Sequence, residues 1–117
     1  MQYLVTLYDV EGSGSVPGSP EWDADMEAYG AFDEKYGHAV RAGEALQPSS
    51  EAVTVRSGPD GGDAPLVTDG PFAETEEVIG GLYVVRSKSR DDAVAVAADV
   101  PTNPGGGVEL RPIVDFG

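Results

Sequence analysis

Residues 81–99, with the sequence GLYVVRSKSRDDAVAVAAD, contain the two elements that decide the fold. The first six of them, 81–86, are rich in β-branched and aromatic side chains and predict a strand. Apolar side chains occupy alternate positions of both parities, so both faces of this strand are apolar. Ser89 then opens a capping pattern that predicts a helix over 92–99, ended by Pro101. A strand followed directly by a helix is therefore one unit of the fold.

The N-terminal part of the chain predicts a second strand and helix. Residues 2–8 form the strand, and a loop rich in Gly, Ser and Pro follows over 11–18. Ser19 and Pro20 supply a helix N-cap and a proline at the first helical position. An apolar stripe at helical spacing continues from there, formed by Trp22, Met26, Tyr29, Phe32 or Asp33, Tyr36 and Val40. The predicted helix closes at Gly43.

The remaining strands lie between and after these units. Residues 52–56 predict a strand, 57–65 a turn-rich excursion, and 66–68 a short returning strand, which together indicate a hairpin with a long tip. A last strand is predicted over 108–114, with Pro112 indicating an edge or a strand end. The order is β-α-β-β-α-β in one domain of 117 residues.

This order predicts an α+β fold with a ferredoxin-like antiparallel sheet and two helices on one face. The strands at 2–8 and 81–86 are apolar on both faces, so the face opposite the helices would be exposed and apolar. A second copy packing sheet against sheet would bury it, and we expect a homodimer. Val5 or Tyr83 is an expected partner-facing position, according to which parity the helices leave free.

Charge restricts the partners of the protein. Its 7 basic and 21 acidic side chains give a net charge of −14, and the lysines and arginines are scattered along the chain. No basic patch is available to follow phosphates, so direct nucleic-acid binding is not expected. The acidic surface favours solubility or salt adaptation, with recruitment of a basic partner as the alternative.

Composition also limits the chemistry. The chain has no cysteine, which excludes disulfides, thiolate nucleophiles and cysteine-bound metal centres. Its first residues lack the basic region of a signal peptide, and no apolar run approaches the roughly 18 residues that span a bilayer. We therefore expect a cytoplasmic protein without a membrane segment. Phosphate-loop and GxGxxG patterns are missing, and no cofactor is expected.

Residues 69–77, DGPFAETEE, are the least generic part of the sequence, and we call them the DGPF segment. Asp-Gly-Pro is typical of a tight turn in which the carboxylate accepts backbone N–H groups, with Phe72 packed into the core. Alternatively, Asp69 lies at a cleft between the sheet and a partner and acts as a general acid or base. Binding of a hard cation by Asp69, Glu74 and Glu77 with His38 is a third interpretation, although these residues have no recognised ligand spacing.

The DGPF segment, followed by VIGG at 78–81, resembles the signature of YCII-related proteins of the DGPF type, usually Asp-Gly-Pro-Phe-x-Glu-x-Lys-Glu. Similarity extends to the opening strand, to AGEAL at 42–46, to VTVR at 53–56 and to VELRP at 108–112. It implies a dimeric α+β barrel of ferredoxin-like subunits. Asp69 occupies the position that looks like the aspartate of a proposed His–Asp pair, whereas His38 does not match its histidine. Glu76 stands where the family commonly has lysine.

Candidate ligand contacts complete the hypothesis. Arg56, Arg86 and Arg111 lie on or at the ends of strands and could hold a small anionic molecule, with Glu74 as a further ligand-binding candidate. Two functions remain open. In the first, a homodimer encloses a small-molecule pocket between its sheets, with acid–base chemistry at Asp69. In the second, the dimer is a non-catalytic interaction or regulatory module with an acidic surface.

Overall fold

A computed structural model describes residues 1–58, 64–73 and 75–117. Its elements in chain order are β1 (Gln2–Val10), α1 (Pro20–Tyr36), β2 (Val40–Ala45), β3 (Val53–Arg56), β4 (Leu66–Asp69), β5 (Glu77–Arg86), α2 (Arg90–Ala98) and β6 (Gly107–Pro112). A four-stranded antiparallel sheet has the order β2-β5-β1-β6, and β3 pairs with β4 in a separate two-stranded sheet. The predicted α+β fold with a ferredoxin-like sheet is confirmed.

Both helices begin at serine caps. The hydroxyl of Ser19 accepts the backbone N–H of Trp22 at 3.2 Å, and the hydroxyl of Ser89 accepts that of Asp92 at 3.1 Å. Acidic residues in the first turn of each helix favour this end of the helix dipole. An ion pair at the surface links the C-terminal ends of the two helices: the Lys35 ammonium contacts the Asp99 carboxylate at 2.9 Å. Capping signals in the sequence therefore located both helix starts to within two residues.

The predicted end of the first helix at Gly43 is wrong. Helix α1 stops at Tyr36, and a turn over 37–39 leads into β2, which pairs with β5. The Ala39 carbonyl already accepts the Arg86 N–H at 2.8 Å, so pairing with the sheet replaces helical hydrogen bonds. Gly43 admits the Tyr83 ring, since a Cβ atom at this position would lie 2.7 Å from a ring carbon. The glycine provides a close approach within the sheet rather than a helix end.

The strands predicted at 52–56 and 66–68 do form a hairpin, but it does not join the main sheet. We call β3 and β4 together the arm. It is inserted between β2 and β5, which supply the middle two strands of the predicted β-α-β-β-α-β order. Residues 59–63, within the predicted turn, lie outside the described residues.

One core forms between the sheet and the two helices. Its buried members come from β1, β5 and both helices, followed by one residue after α2: Tyr3, Val5, Leu7, Val85, Phe32, Ala93, Val96, Ala97 and Val100. Both helices therefore lie on the same side of the sheet, as predicted. Val5 pairs with Tyr83 across β1 and β5, and both side chains belong to this side. The expectation that either position faces a partner is wrong, because the helices cover this parity.

The opposite side of the sheet carries apolar side chains, and both described helices lie away from it. We call this side the open face and define it by Leu4, Thr6, Tyr8, Ile79, Leu82 and Val84. Leu4 pairs with Val84, and Thr6 with Leu82. The two leucines and Val84 are half-buried, while Ile79 is 47% exposed. This arrangement matches the sequence expectation that both faces of the central strands are apolar.

Candidate functional site

A cleft of about 1040 Å³ lies where the open face meets the base of the arm. The open face contributes Tyr8 and Ile79, the connection after β2 contributes residues between 46 and 52, and the DGPF segment contributes much of the remaining wall. Apolar groups dominate the lining, and the carboxylates that the described residues contribute belong to Glu51, Glu76 and Glu77. A concave, mainly apolar site with a few polar groups has the form of a small-molecule site.

Side chains of β3 hold the DGPF segment in place. The Thr54 hydroxyl donates to the Gly70 carbonyl at 2.8 Å, and the Gly70 N–H donates to the Ala52 carbonyl at 2.7 Å. Further along, the Arg56 Nη2 donates to the Phe72 carbonyl at 3.0 Å, and its guanidinium lies 4.0 Å from the centroid of the Phe72 ring. These contacts fix the segment against the arm.

Phe72 is 67% exposed, so the expectation that it packs into the core is wrong. The arm is separate from the main sheet, and the ring therefore meets the Arg56 guanidinium instead of the core between sheet and helices. Stacking on a cation orients the ring while leaving most of it in solvent. Phe72 also lines the cleft.

Asp69 is the last residue of β4, pairs with Val53, and is exposed. Its carboxylate accepts no hydrogen bond from any residue within the described ranges, so the expected side-chain cap of the turn is not observed there. The backbone of Gly70 and the hydroxyl of Thr54 hold the turn instead. Asp69 lies two residues before Pro71, with which the DGPF segment begins to line the cleft.

The three candidate arginines lie in two places. Arg56 is on the arm, whereas Arg86 and Arg111 are at the end of the sheet away from the cleft, in register with Gln2 and Leu4 of β1. The Arg111 Nη2 contacts the Glu109 carboxylate at 2.7 Å and remains 71% exposed. A single chain therefore does not bring all three arginines together. Glu74, the other ligand-binding candidate, lies outside the described residues.

The family model for the YCII-related domain matches residues 1–117. The chain belongs to the YCII-related family. It is also 35% identical to an uncharacterized protein of Rhizobium meliloti (strain 1021), in an alignment that covers 97% of this chain and 92% of the relative. The resemblance inferred from residues 69–81 thus extends over the whole YCII-related chain.

The tyrosines with shifted pKa values in this YCII-related protein lie on the helix side of the sheet. Burial, followed by the nearby charge of Asp33, raises the pKa of Tyr83 to about 12. Burial, followed by the charge of Asp9, also raises the pKa of Tyr29. At the surface, hydrogen bonds from Tyr36 and then Lys35 lower the pKa of Asp99. These shifts accompany core packing and helix pairing, and none of these groups lines the cleft.

A metal centre finds no support in the described residues. Within 1–58, 64–73 and 75–117, no group of three or more His, Asp or Glu side chains is arranged to hold a metal ion. His38 lies exposed in the turn after α1, apart from the arm that carries Asp69. None of the helices described is long and apolar enough to cross a membrane.

Sequence reasoning missed the cleft wall that follows β2. Leu46, Ser49, Glu51 and Ala52 line the cleft, but they come from an irregular connection with one 3₁₀ turn and have no periodic pattern. Tyr8 could have been found, because its parity along β1 places it with Leu4 and Thr6 on the open face. Strand alternation is thus the available signal for part of this site.

At a protein concentration at which the chain is monomeric, we expect Asp69→Asn and Asp69→Ala each to change the free energy of unfolding by less than about 0.5 kcal/mol, because no described group of the same chain relies on this carboxylate. Thr54→Val serves as the comparison, since Thr54 is 7% exposed and donates to Gly70. Loss of the Thr54 hydroxyl in this variant is expected to lower the free energy of unfolding by about 1 to 3 kcal/mol. Urea unfolding measures all three variants. A cost above 1 kcal/mol for Asp69→Ala alone would restore the turn-capping role.

Gly70→Ala is expected to destabilise the turn by about 1 to 3 kcal/mol, because Gly70 has a φ of +104° that alanine rarely adopts. Gly30→Ala is the control variant, for which a change of stability in the opposite direction is expected. Gly30 is inside α1, and a Cβ atom added there meets nothing within 4 Å. This second change is expected to stabilise the protein by roughly 0.5 to 1 kcal/mol. Thermal unfolding of the two variants should therefore shift in opposite directions.

Proposed function

We propose that this protein is a homodimer that packs its two open faces together and binds a small anionic molecule at the cleft. The proposal assigns it to the DGPF type within its family. One observation carries it: the centre of the open face is apolar, with Glu44 and Glu109 on its outer strands, a cleft at one end and two arginines at the other. A monomer would expose this face to water, whereas a second copy would bury it.

Charge supports an end-over-end arrangement of the two chains. Glu51, Glu76 and Glu77 line the cleft end, while Arg86 and Arg111 are at the far end of the same sheet. A two-fold axis across the strands would place the arginine end of one chain over the cleft end of its partner. Both halves of such an interface use the same surface, as an isologous dimer requires. The acidic cleft end of each chain would then lie against the arginine end of the other, so the interface would contain two contacts between oppositely charged surfaces. These contacts favour the end-over-end orientation over one in which like ends meet.

The proposed ligand follows from the groups that this arrangement gathers. Guanidinium groups bind carboxylates and phosphates through paired hydrogen bonds, so Arg86 and Arg111 would hold an anionic group beside the partner's cleft. The apolar walls would take the remainder of the molecule. Asp69, at the base of the arm, is the proposed acid–base group, and Arg56 and Glu74 are proposed additional ligand contacts. Asp69 belongs to the same DGPF segment as the cleft-lining residues from Pro71 onward, which supports a role for its carboxylate at the cleft.

A thermal-shift screen of small carboxylates and phosphates tests this function. The wild-type protein should gain stability with a subset of the compounds, since a ligand that binds the native state raises Tm. Arg86→Gln and Arg111→Gln should each abolish this gain, whereas Arg90→Gln, at the start of α2, should retain it. Asp69→Asn should retain binding but lose any turnover that chromatography detects.

Two results would contradict the anionic-ligand proposal. The first is stabilisation only by cationic compounds, and the second is an equal response from all three arginine variants. A dimer that responds to none of the compounds would favour the alternative, a non-catalytic interaction or regulatory module with an acidic surface. Binding of basic peptides by the same dimer would support that alternative directly.

A further inference from the structure

The arm has an apolar face that no residue within 1–58, 64–73 and 75–117 covers. Val55 pairs with Val67, and Val53 pairs with Asp69, so these four side chains share one face of the two-stranded sheet. The three valines are 59%, 61% and 59% exposed in the order Val55, Val67 and Val53. We call this the valine face. Its apolar side chains lie next to one carboxylate, that of Asp69.

The two faces of the arm differ in burial at one residue, Thr54. Thr54, on the other face, is 7% exposed because the turn at Gly70 packs over it. Strict alternation of apolar and polar residues, as in Val53-Thr54-Val55-Arg56, is typical of a strand that is buried on its apolar side. In the arm the three valines are exposed, and on the other side Thr54 is buried while Arg56, Leu66 and Thr68 are exposed. The pattern therefore indicates a cover for the valine face that comes from outside the chain.

The shape of the chain points the same way. Its radius of gyration is 16.5 Å, compared with about 13 Å for a compact chain of this length. The arm, inserted between Ala45 and Glu77, is one of the segments that lie outside the four-stranded sheet. A two-stranded hairpin by itself is marginally stable in water. An arm of this kind gains stability by packing on another surface.

We propose that the valine face of each arm lies against the partner's open face at its arginine end, so that every binding site is built from both chains. This inference rests on the proposed homodimer. The arm leaves the sheet at the cleft end, and an end-over-end dimer sets that end beside the partner's arginine end. Asp69 would then face the partner's Arg86 and the partner's Arg111. The valines of the arm would pack on apolar side chains of the partner's open face, and the Asp69 carboxylate would lie next to the guanidinium groups of the partner.

Interface area supports the second copy as the occupant. A four-stranded sheet about six residues long has a footprint of about 400 Å², roughly half of what each partner contributes to a standard interface. The open face alone is therefore small for a stable dimer. Two arms, one from each chain, would add their valine faces to the same interface.

Sedimentation equilibrium of charge variants is the first test. Val55→Glu and Val67→Glu should each weaken dimerisation by roughly tenfold or more, whereas Val94→Glu on α2 should leave the dimer constant unchanged. Far-ultraviolet circular dichroism confirms that each variant folds. A monomeric wild type would overturn both the inference and the proposed dimer. A dimeric wild type whose constant is unaffected by either arm variant would overturn the arm contact alone.

Cross-linking is the second test. Because the native chain has no cysteine, the cross-linker reacts only with the thiol that is introduced. Val67→Cys on the arm and Gln2→Cys at the arginine end are prepared as separate proteins, mixed so that subunits exchange, and treated with a short bismaleimide. We expect a dimeric product from this mixture and none from Val67→Cys mixed with Val94→Cys. Equal cross-linking in the two mixtures, or none in a sample that sediments as a dimer, would overturn the placement of the arm.

Discussion

Replacing Val84 by glutamate is expected to convert the proposed dimer into a monomer or an aggregate. Val84 lies at the centre of the open face, where it pairs with Leu4 on one side and Ala42 on the other. In a sheet-on-sheet dimer this position is covered by the partner, and a carboxylate there would be buried without a partner charge. Such a group costs about 3 to 5 kcal/mol, and 3 kcal/mol already corresponds to roughly a hundredfold weaker association.

The matched control for this variant is Val94→Glu. Val94 is 45% exposed on α2, on the side of the molecule that carries the helices, and the chemical change is identical. Sedimentation equilibrium at micromolar concentrations should show a dimer for the wild type and for the Val94 variant. Retention of the wild-type dimer constant by Val84→Glu would mean that the open face is not the interface.

Replacing Phe32 by alanine should remove a large part of the stability of the fold. Phe32 is 4% exposed and is the residue of α1 that is fully inserted into the core. Its ring centroid lies 5.1 Å from that of Tyr36 and 5.1 Å from that of Tyr83, so it joins α1 to β5. A buried Phe→Ala change typically costs about 3 to 5 kcal/mol, and a domain has about 5 to 15 kcal/mol in total.

Phe116→Ala provides the control of the same chemistry. Phe116 is 97% exposed, and its truncation should alter the free energy of unfolding by less than about 0.5 kcal/mol. Urea titrations of the two variants, analysed with a common slope, give the comparison. Similar midpoints for both variants would indicate that α1 contributes little to the core.

The central strands and the helix starts were predictable because their signals are local. β-branched residues at 2–8 and 81–86 and serine caps at 19 and 89 depend on neighbours a few residues away. Strand β2 was not predictable in this way. Its sequence VRAGEA has few β-formers and all but its first residue are exposed, so neither propensity nor alternation marks it. Pairing with β5, some 40 residues away, determines its conformation.

The candidate site depends even more on distant contacts. A residue pattern indicated Asp69 and the DGPF segment, but the position of Phe72 depends on Arg56, and the arm that carries Arg56 is separate from the main core. The cleft also requires the connection after β2 to lie beside residues 71–73 and 75–79. A register shift between Leu7 and Tyr8 sets the local geometry of the sheet at this end. Composition and periodicity carry no information about these three conditions.

Because the arm is separate from the main sheet, its hydrogen bonds should open independently of those in that sheet. β1 is hydrogen-bonded to β5 on one side and to β6 on the other, so its amide protons should exchange with deuterium only when the whole domain unfolds. The ladder between β3 and β4 has four residue pairs and can open without disturbing that sheet. In the proposed dimer, where the partner covers the arm, its amide exchange should slow as protein concentration rises. The exchange rate of the arm would thus report association in the unmodified protein.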